Sequence, residues 1–209
     1  MNYNKVLVLA PHTDDGELGC GATISKLIRQ GKQVFYAAFS LCQESLPEGF
    51  PPNTLELEVK EATGRLGIPA SNLFIFDFKV RYFERDRQDI LETMVSLRKK
   101  VSPDLVLLPS RNDIHQDHET ISKEGVRAFK HSAILGYEMP WNNFSFHTSC
   151  FVEVSEQDLQ TKRHALEAYK SQAKRVYLSS ESVNSMARVR GMQSGFQFAE
   201  AFEAIRILF

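Results

Sequence analysis

Two short apolar runs, each stopped by a proline, constrain this chain more than any other feature: Val6-Leu7-Val8-Leu9-Ala10 before Pro11, and Leu105-Val106-Leu107-Leu108 before Pro109. Runs of this length without polar alternation are the pattern of strands covered on both faces, as happens inside a parallel sheet flanked by helices. Strand-like and helix-like stretches alternate around them. A polar, glycine-rich turn with Gly16, Gly19 and Gly21 follows the first run, and Ala22 to Gln30 then spaces Ile24, Leu27 and Ile28 as a helix closing at Gly31. Val34 to Phe39 reads as strand, Thr54 to Leu66 as a helix ended by Gly67, and Leu73 to Phe76 as a short strand. Ile90, Met94, Leu97 and Val101 mark a helix stopped by Pro103. Further on, Ser149 to Val154 suits a strand, a helix starts near Glu156 with Ser155 as its cap and Asp158 three residues on, and Ala199 to Leu208 is compatible with a closing strand. The alternation predicts an α/β fold with a doubly wound, mostly parallel sheet, in which ligands bind beyond the carboxyl ends of the strands. No repeat or linker divides the chain, so a single domain over residues 1–209 is expected.

Charge and cysteine usage remove several function classes. With 25 basic and 26 acidic side chains the formal net charge is -1, so no global field draws in nucleic acid or an anionic membrane, and neither is expected as a partner. Cys20, Cys42 and Cys150 are far apart and never in a Cys-x-x-Cys pair, which argues against a disulfide scaffold and against a thiolate metal site. The N-terminal run Val6 to Ala10 is too short for a signal-peptide core or a membrane span, so a soluble, cytoplasmic protein is expected.

Each proline-terminated run is followed by residues of metal-ligand type. Pro11-His12-Thr13-Asp14-Asp15 follows the first, and His115-Gln116-Asp117-His118 comes shortly after Pro109. In a parallel sheet both loops emerge at one edge, so groups about a hundred positions apart converge. Two imidazoles and one carboxylate suit a catalytic zinc, because three protein ligands leave a fourth position for water, whose pKa the cation lowers to roughly 7. A carboxylate beside that water can act as general base and a donor opposite can hold an oxyanion, with Asp14, Asp15, His115 and Asp117 as candidates.

These residues carry a resemblance. Pro-His-x-Asp-Asp with the following Gly19-Cys20-Gly21-Ala22-Thr23, and the later His-x-Asp-His, resemble the two signature motifs of the LmbE-like or PIG-L family of zinc-dependent N-acetylglucosamine de-N-acetylases. The order of elements from Lys5 to about Phe129 fits that family's Rossmann-like fold. Tyr169-Lys170-Ser171-Gln172 and Ala199-Glu200-Ala201-Phe202 resemble stretches of its C-terminal part. The resemblance implies one zinc per chain, held by His12, Asp15 and His118, with Asp14 as general base. It implies that His115 stabilises the oxyanion and that Asp117 orients His115 and keeps it protonated. It implies an acylated amino sugar or conjugate as substrate, and it leaves a homo-oligomer open.

Several positions depart from the family's usual form: Thr13 and Gln116 stand where prolines are frequent, Gly16-Glu17 replaces a glutamate directly after the aspartates, and Ala22 replaces a glycine. Leu55, three residues before Glu58, stands where many members carry a substrate-contacting arginine, which leaves the ligand set intact and the substrate open. Arg111, Asn112 and Asp113 either line the site or are solvated loop polarity, and Tyr82, Phe83 and Trp141 are candidates to stack on a sugar ring. Cys20 reads as a packing residue. A dinucleotide-binding reading fails because the glycines are not in G-x-G-x-x-G order and the two aspartates would repel a pyrophosphate. A metal-dependent esterase or phosphoesterase, and a non-catalytic zinc or carbohydrate-binding protein, are the alternatives that keep the metal.

Overall fold

The computed structural model describes residues 3–208. Among them seven strands form one sheet: β1 (Lys5–Ala10), β2 (Gln33–Ala38), β3 (Leu73–Ile75), β4 (Leu105–Pro109), β5 (Ala133–Tyr137), β6 (Cys150–Glu153) and β7 (Ala199–Arg206). The α-helices are α1 (Asp15–Arg29), α2 (Thr54–Leu66), α3 (Arg87–Val101), α4 (Gln116–Ala128), α5 (Glu156–Leu166) and α6 (Ser180–Ser194). Across the sheet the order is β3-β2-β1-β4-β5-β7-β6. The first five are parallel, while β7 runs antiparallel to both β5 and β6. This is the doubly wound, mostly parallel sheet expected from the alternation of elements.

The chain winds outward from β1 through β2 to β3 on one side, and from β4 to β5 on the other. Winding therefore reverses between β1 and β4, which pair with Val6 opposite Leu105 and Val8 opposite Leu107. A reversal of this kind opens a crevice at the carboxyl ends of the two central strands. Both strands are fixed by burial on both faces. Val6, Val8 and Ala10 face a layer that includes Ile24 and Val59, whereas Leu7 and Leu9 face Ile90, Met94, Ile121 and Phe129. All five β1 residues from Val6 onward are 0% exposed, and each fully buried valine or leucine stabilises the fold by about 1.5–3 kcal/mol. A third cluster, with Leu55, Leu159, Tyr169, Val183 and Phe198, ties the C-terminal elements to α2.

The region after β1 differs from the expected glycine-rich turn. α1 begins at Asp15, and Gly16 and Gly19 are helical. A Cβ at Gly16 would lie 2.5 Å from the Tyr36 ring, and one at Gly19 would lie 2.3 Å from the Tyr137 ring. These glycines let the helix approach the sheet. The helix is kinked at Cys20 (φ -149, ψ 24), and the Glu200 carboxylate accepts the amides of Ala22 (3.2 Å) and Thr23 (2.7 Å) just beyond the kink. Lys162 pairs with Glu200 at 2.7 Å, so this buried carboxylate caps the second half of α1 with its charge matched. Cys20 is buried and donates to the Gly16 carbonyl, the packing role expected of it. At α5 the Ser155 and Asp158 capping box forms as anticipated. Strand β5 and helix α6 add to the elements expected from the sequence. No helix of the described residues is long and apolar enough to cross a membrane.

Candidate active site

The chain leaves β1 at Pro11 and turns at once into α1, so His12, Asp14 and Asp15 stand at the mouth of the crevice. β4 ends at Pro109, and a short loop leads to α4, which carries Asp117 and His118 in its first turn. The two candidate ligand clusters therefore meet, as expected of loops that leave neighbouring parallel strands at one sheet edge.

Three of their atoms form a nearly equilateral triangle. His12 Nδ1 lies 3.1 Å from Asp15 Oδ2, His118 Nε2 lies 3.2 Å from the same oxygen, and the two ring nitrogens are 3.2 Å apart. Ligands about 2.0–2.1 Å from a tetrahedral zinc stand about 3.3 Å from each other, so this donor set fits the ion without rearrangement. A wider trio exchanges Asp15 for His115, with ligand atoms within 4.8 Å of one another. The tighter set, which also includes a charge-neutralising carboxylate, is the better match.

Each triangle imidazole has a carboxylate on its other nitrogen. His118 Nδ1 is 2.7 Å from Asp113 Oδ2, and His12 Nε2 is 3.0 Å from Asp117 Oδ2. Such partners fix the tautomer so that the lone pair points at the ligand position. Asp117 also accepts the backbone amide of Arg81 at 2.7 Å. Arg81 itself has φ 71, a left-handed conformation that is uncommon outside glycine. His12 and Asp117 thus correct one expectation: the carboxylate of Asp117 is on His12, not on His115. The reason is local. His115 is the N-cap of α4, and its Nδ1 accepts the Asp117 amide at 3.2 Å. Burial first, and then the neighbouring His118 and His12, push the His115 pKa down to about 4, so it presents a neutral ring with Nε2–H as donor.

The adjacent aspartates are driven apart. Burial raises both, but His118 and His12 outweigh it for Asp15, which stays ionised well below the usual range. Asp14 is pushed up to about 6, by burial and then by the Asp15 charge. Its Oδ2 is buried with no hydrogen-bond partner, and the nearest cation, Arg175 Nη1, is 4.0 Å away. For His118 burial works against protonation, yet Asp15 and Asp113 push its pKa up to about 10.

The triangle opens into a cavity of about 230 Å³ whose walls include Thr13, Leu55, His115, Trp141, Arg175 and Tyr177. Among the described lining residues Arg175 is the only arginine or lysine. Beneath the floor lies Glu17, 0% exposed and pushed up to about 8 by burial. Tyr169 Oη is 3.0 Å from Glu17, and Tyr36 also bonds to it. Both phenols reach the Thr13 carbonyl, at 2.6 Å for Tyr169 and 3.0 Å for Tyr36, so this trio pins the loop that carries Asp14.

Of the other residues singled out in the sequence, Asp113 belongs to the site through His118, whereas Arg111 turns away to Glu203 (2.7 Å). Trp141 lines the cavity. Phe83 cannot stack on a ligand, because it is fully buried between Phe78 and His12, and Tyr82 is exposed beside Lys79 and Arg85 without lining the cavity. Sequence reasoning missed Arg175, Tyr177 and the Glu17 cluster.

The family model for GlcNAc-PI de-N-acetylase, PIG-L, matches residues 7–129, more than half of the 209 residues. The uncharacterized deacetylase YaiS of Escherichia coli K12 is 28% identical over 171 residues, covering 79% of this chain and 90% of that protein. The diacetylchitobiose deacetylase of Thermococcus kodakarensis is 26% identical, covering 100% of this chain and 85% of that protein. Among solved structures, the conserved protein TT1542 from Thermus thermophilus superposes with a TM-score of 0.80 at 24% identity, covering 100% of this chain and 97% of that one. The family match spans both strand ends that build the triangle, and the chain belongs to the PIG-L family of deacetylases.

Proposed function

We propose that this protein is a zinc-dependent hydrolase that removes the N-acetyl group of an amino sugar or amino-sugar conjugate. The observation that carries the reading is the triangle of His12 Nδ1, Asp15 Oδ2 and His118 Nε2 with the unpartnered Oδ2 of Asp14 close by. A zinc ion held by the triangle would supply Lewis acidity toward water and toward the amide carbonyl. Asp14 accepts the proton of the attacking water at Oδ2 and returns it to the nitrogen as the C–N bond breaks, giving acetate and a free amine. His115 donates from Nε2–H to the carbonyl oxygen as negative charge develops there, a role open to a neutral imidazole. Asp113 and Asp117 keep the two ligating rings in the tautomer that serves the ion. Arg175 stands at the cavity wall with donors for substrate hydroxyl or anionic groups.

The same groups could cleave an ester or phosphoester, but phosphoester sites ordinarily gather a second metal or several cations. Here Arg175 is the single fixed cationic side chain of the described wall. The test is acetate release from a panel of free, phosphorylated, nucleotide-linked and lipid-linked N-acetylhexosamines, with Asp14→Asn as control. Asp14-dependent release from at least one supports the reading. Its absence across the panel, with Asp14-dependent cleavage of an ester, replaces it with the esterase reading.

A further inference from the structure

At about 230 Å³ the cavity around the triangle falls below the roughly 300–1,000 Å³ in which proteins ordinarily enclose a small-molecule ligand. A second cavity of about 760 Å³ adjoins it, and the two share Leu18, Trp141 and Tyr177 as walls. The rings of Trp141 and Tyr177 stack there, with centroids 4.0 Å apart and planes 14° from parallel. The larger cavity is lined by Pro140, Leu159, Val183, Met186 and Ala187, and Val176, 80% exposed, also lines it. Four of its five charged side chains are matched with each other: Lys162 with Glu200 at 2.7 Å, and Arg190 with Glu138 at 2.9 Å. The fifth, Glu181, is exposed in the first turn of α6. A guest in this space meets apolar surface and no unpaired buried charge.

We propose that the larger cavity is the subsite for an apolar arm of the substrate, an alkyl or aryl group carried by the acylated amino sugar, with the Trp141–Tyr177 stack dividing it from the reaction pocket. The inference rests on the reading of the reaction pocket given above for the sugar, but the apolar site itself is testable without turnover. It accounts for the small size of the reaction pocket, which then has to hold only the acylated amine and its ring. It also explains why large apolar side chains border the site at positions open to solvent.

Trp141 is the chain's one tryptophan, so its fluorescence reports on the wall of the cavity. Zinc-loaded Asp14→Asn protein would be titrated, below the micellar range, with three probes: octyl N-acetyl-glucosaminide, methyl N-acetyl-glucosaminide, and methyl glucosaminide carrying an N-octanoyl group. Each buried methylene is worth about fourfold in affinity, less the cost of ordering the chain. An octyl-bearing probe is therefore expected to shift Trp141 emission at concentrations about tenfold to hundredfold lower than the methyl N-acetyl compound. The better of the two octyl probes tells whether the arm is the aglycone or the acyl chain. Met186→Glu and Val176→Glu, with circular dichroism and melting temperature unchanged, should weaken that binding at least tenfold. Equal affinity for octyl and methyl probes, or octyl binding that survives both substitutions, overturns the proposal. So does an octyl response confined to monomers released by dilution of a dimer, which would assign the cavity to a second copy of the chain. Octyl binding retained in a protein that releases no acetate from any sugar would instead overturn the reaction reading and leave the subsite standing.

Discussion

Asp117 Oδ2 lies 3.0 Å from Nε2 of His12, on the side of the ring opposite the nitrogen that faces His118. In the proposed zinc site, a carboxylate so placed would act on the ligand His12 rather than on His115, the proposed oxyanion donor. Its oxygens are anchored in turn by the amides of Arg81 and Phe83, so its position is set by backbone.

From this follows a prediction about metal affinity. Asp117→Asn and Asp113→Asn should each weaken zinc binding by about 10- to 100-fold, because each removes the charged partner of a ligating imidazole. Competition against a chromophoric chelator measures this. If Asp117→Asn left zinc affinity at the wild-type value and reduced turnover alone, the carboxylate would be acting through His115 after all.

Asp14 and Asp15 are neighbours in sequence but should fail differently. Asp14→Asn is expected to hold zinc at about one per chain and lose roughly 10²- to 10⁴-fold in turnover, the span for a positioned general base. Asp15→Ala should lose metal, since it removes one corner of the triangle. Elemental analysis beside single-turnover rates separates the two, and interchanged behaviour would exchange their roles.

Asp158 offers a test of stability against pH. It is 0% exposed, closes the capping box with Ser155, and pairs with Arg29 at 2.9 Å. Burial alone would raise its pKa, but Arg29 and Ser155 hold it below the ordinary carboxylate value. A depressed folded-state pKa means that its contribution is complete above the unfolded value of about 3.9 and is lost as pH falls through the folded one. Asp158→Ala removes a charged acceptor bonded to Ser155, Ser25 and Arg29, so it should cost about 1.5–3 kcal/mol near pH 7, and the gap between the two proteins should close below about pH 4. Urea unfolding across that range checks it; a gap that widened toward acid would contradict the sign.

The central strands and the convergence of the two candidate ligand clusters are legible in the sequence because the information is local. An unbroken apolar run ending in proline, followed directly by His12, Asp14 and Asp15, needs no partner to be recognised, and His115 to His118 repeats the pattern. What the sequence hides depends on distant contacts. Glu17 looks like an ordinary helix-surface residue until Tyr36 and Tyr169 close over it from 19 and 152 positions away. The glycines after β1 look like a turn until Tyr36 and Tyr137 leave no room for a side chain. Helix α6 turns only Val183, Ala187 and Gly191 inward, too small a stripe to stand out, and β5 is a five-residue segment interrupted by Gly136. For Asp117, the family resemblance implied His115 as its partner, whereas His115 caps α4 and the carboxylate meets His12.

His115 has two tasks, and two substitutions should separate them. Its Nδ1 accepts the Asp117 amide and so caps α4, while its Nε2–H is free to face a carbonyl oxygen. His115→Ala should lose both: about 0.5–2 kcal/mol of stability from the missing cap, and about 2.7–4 kcal/mol of transition-state stabilisation, a loss of roughly 10²- to 10³-fold in turnover, if the ring is the oxyanion donor. His115→Asn supplies a favoured capping side chain, yet its amide, once turned to the Asp117 amide, cannot reach where Nε2 stood. It should therefore recover the melting temperature and remain as slow as His115→Ala, with zinc content unchanged in both. Recovery of rate along with stability in His115→Asn would mean that the catalytic loss came from a frayed helix start, and would remove His115 from the reaction.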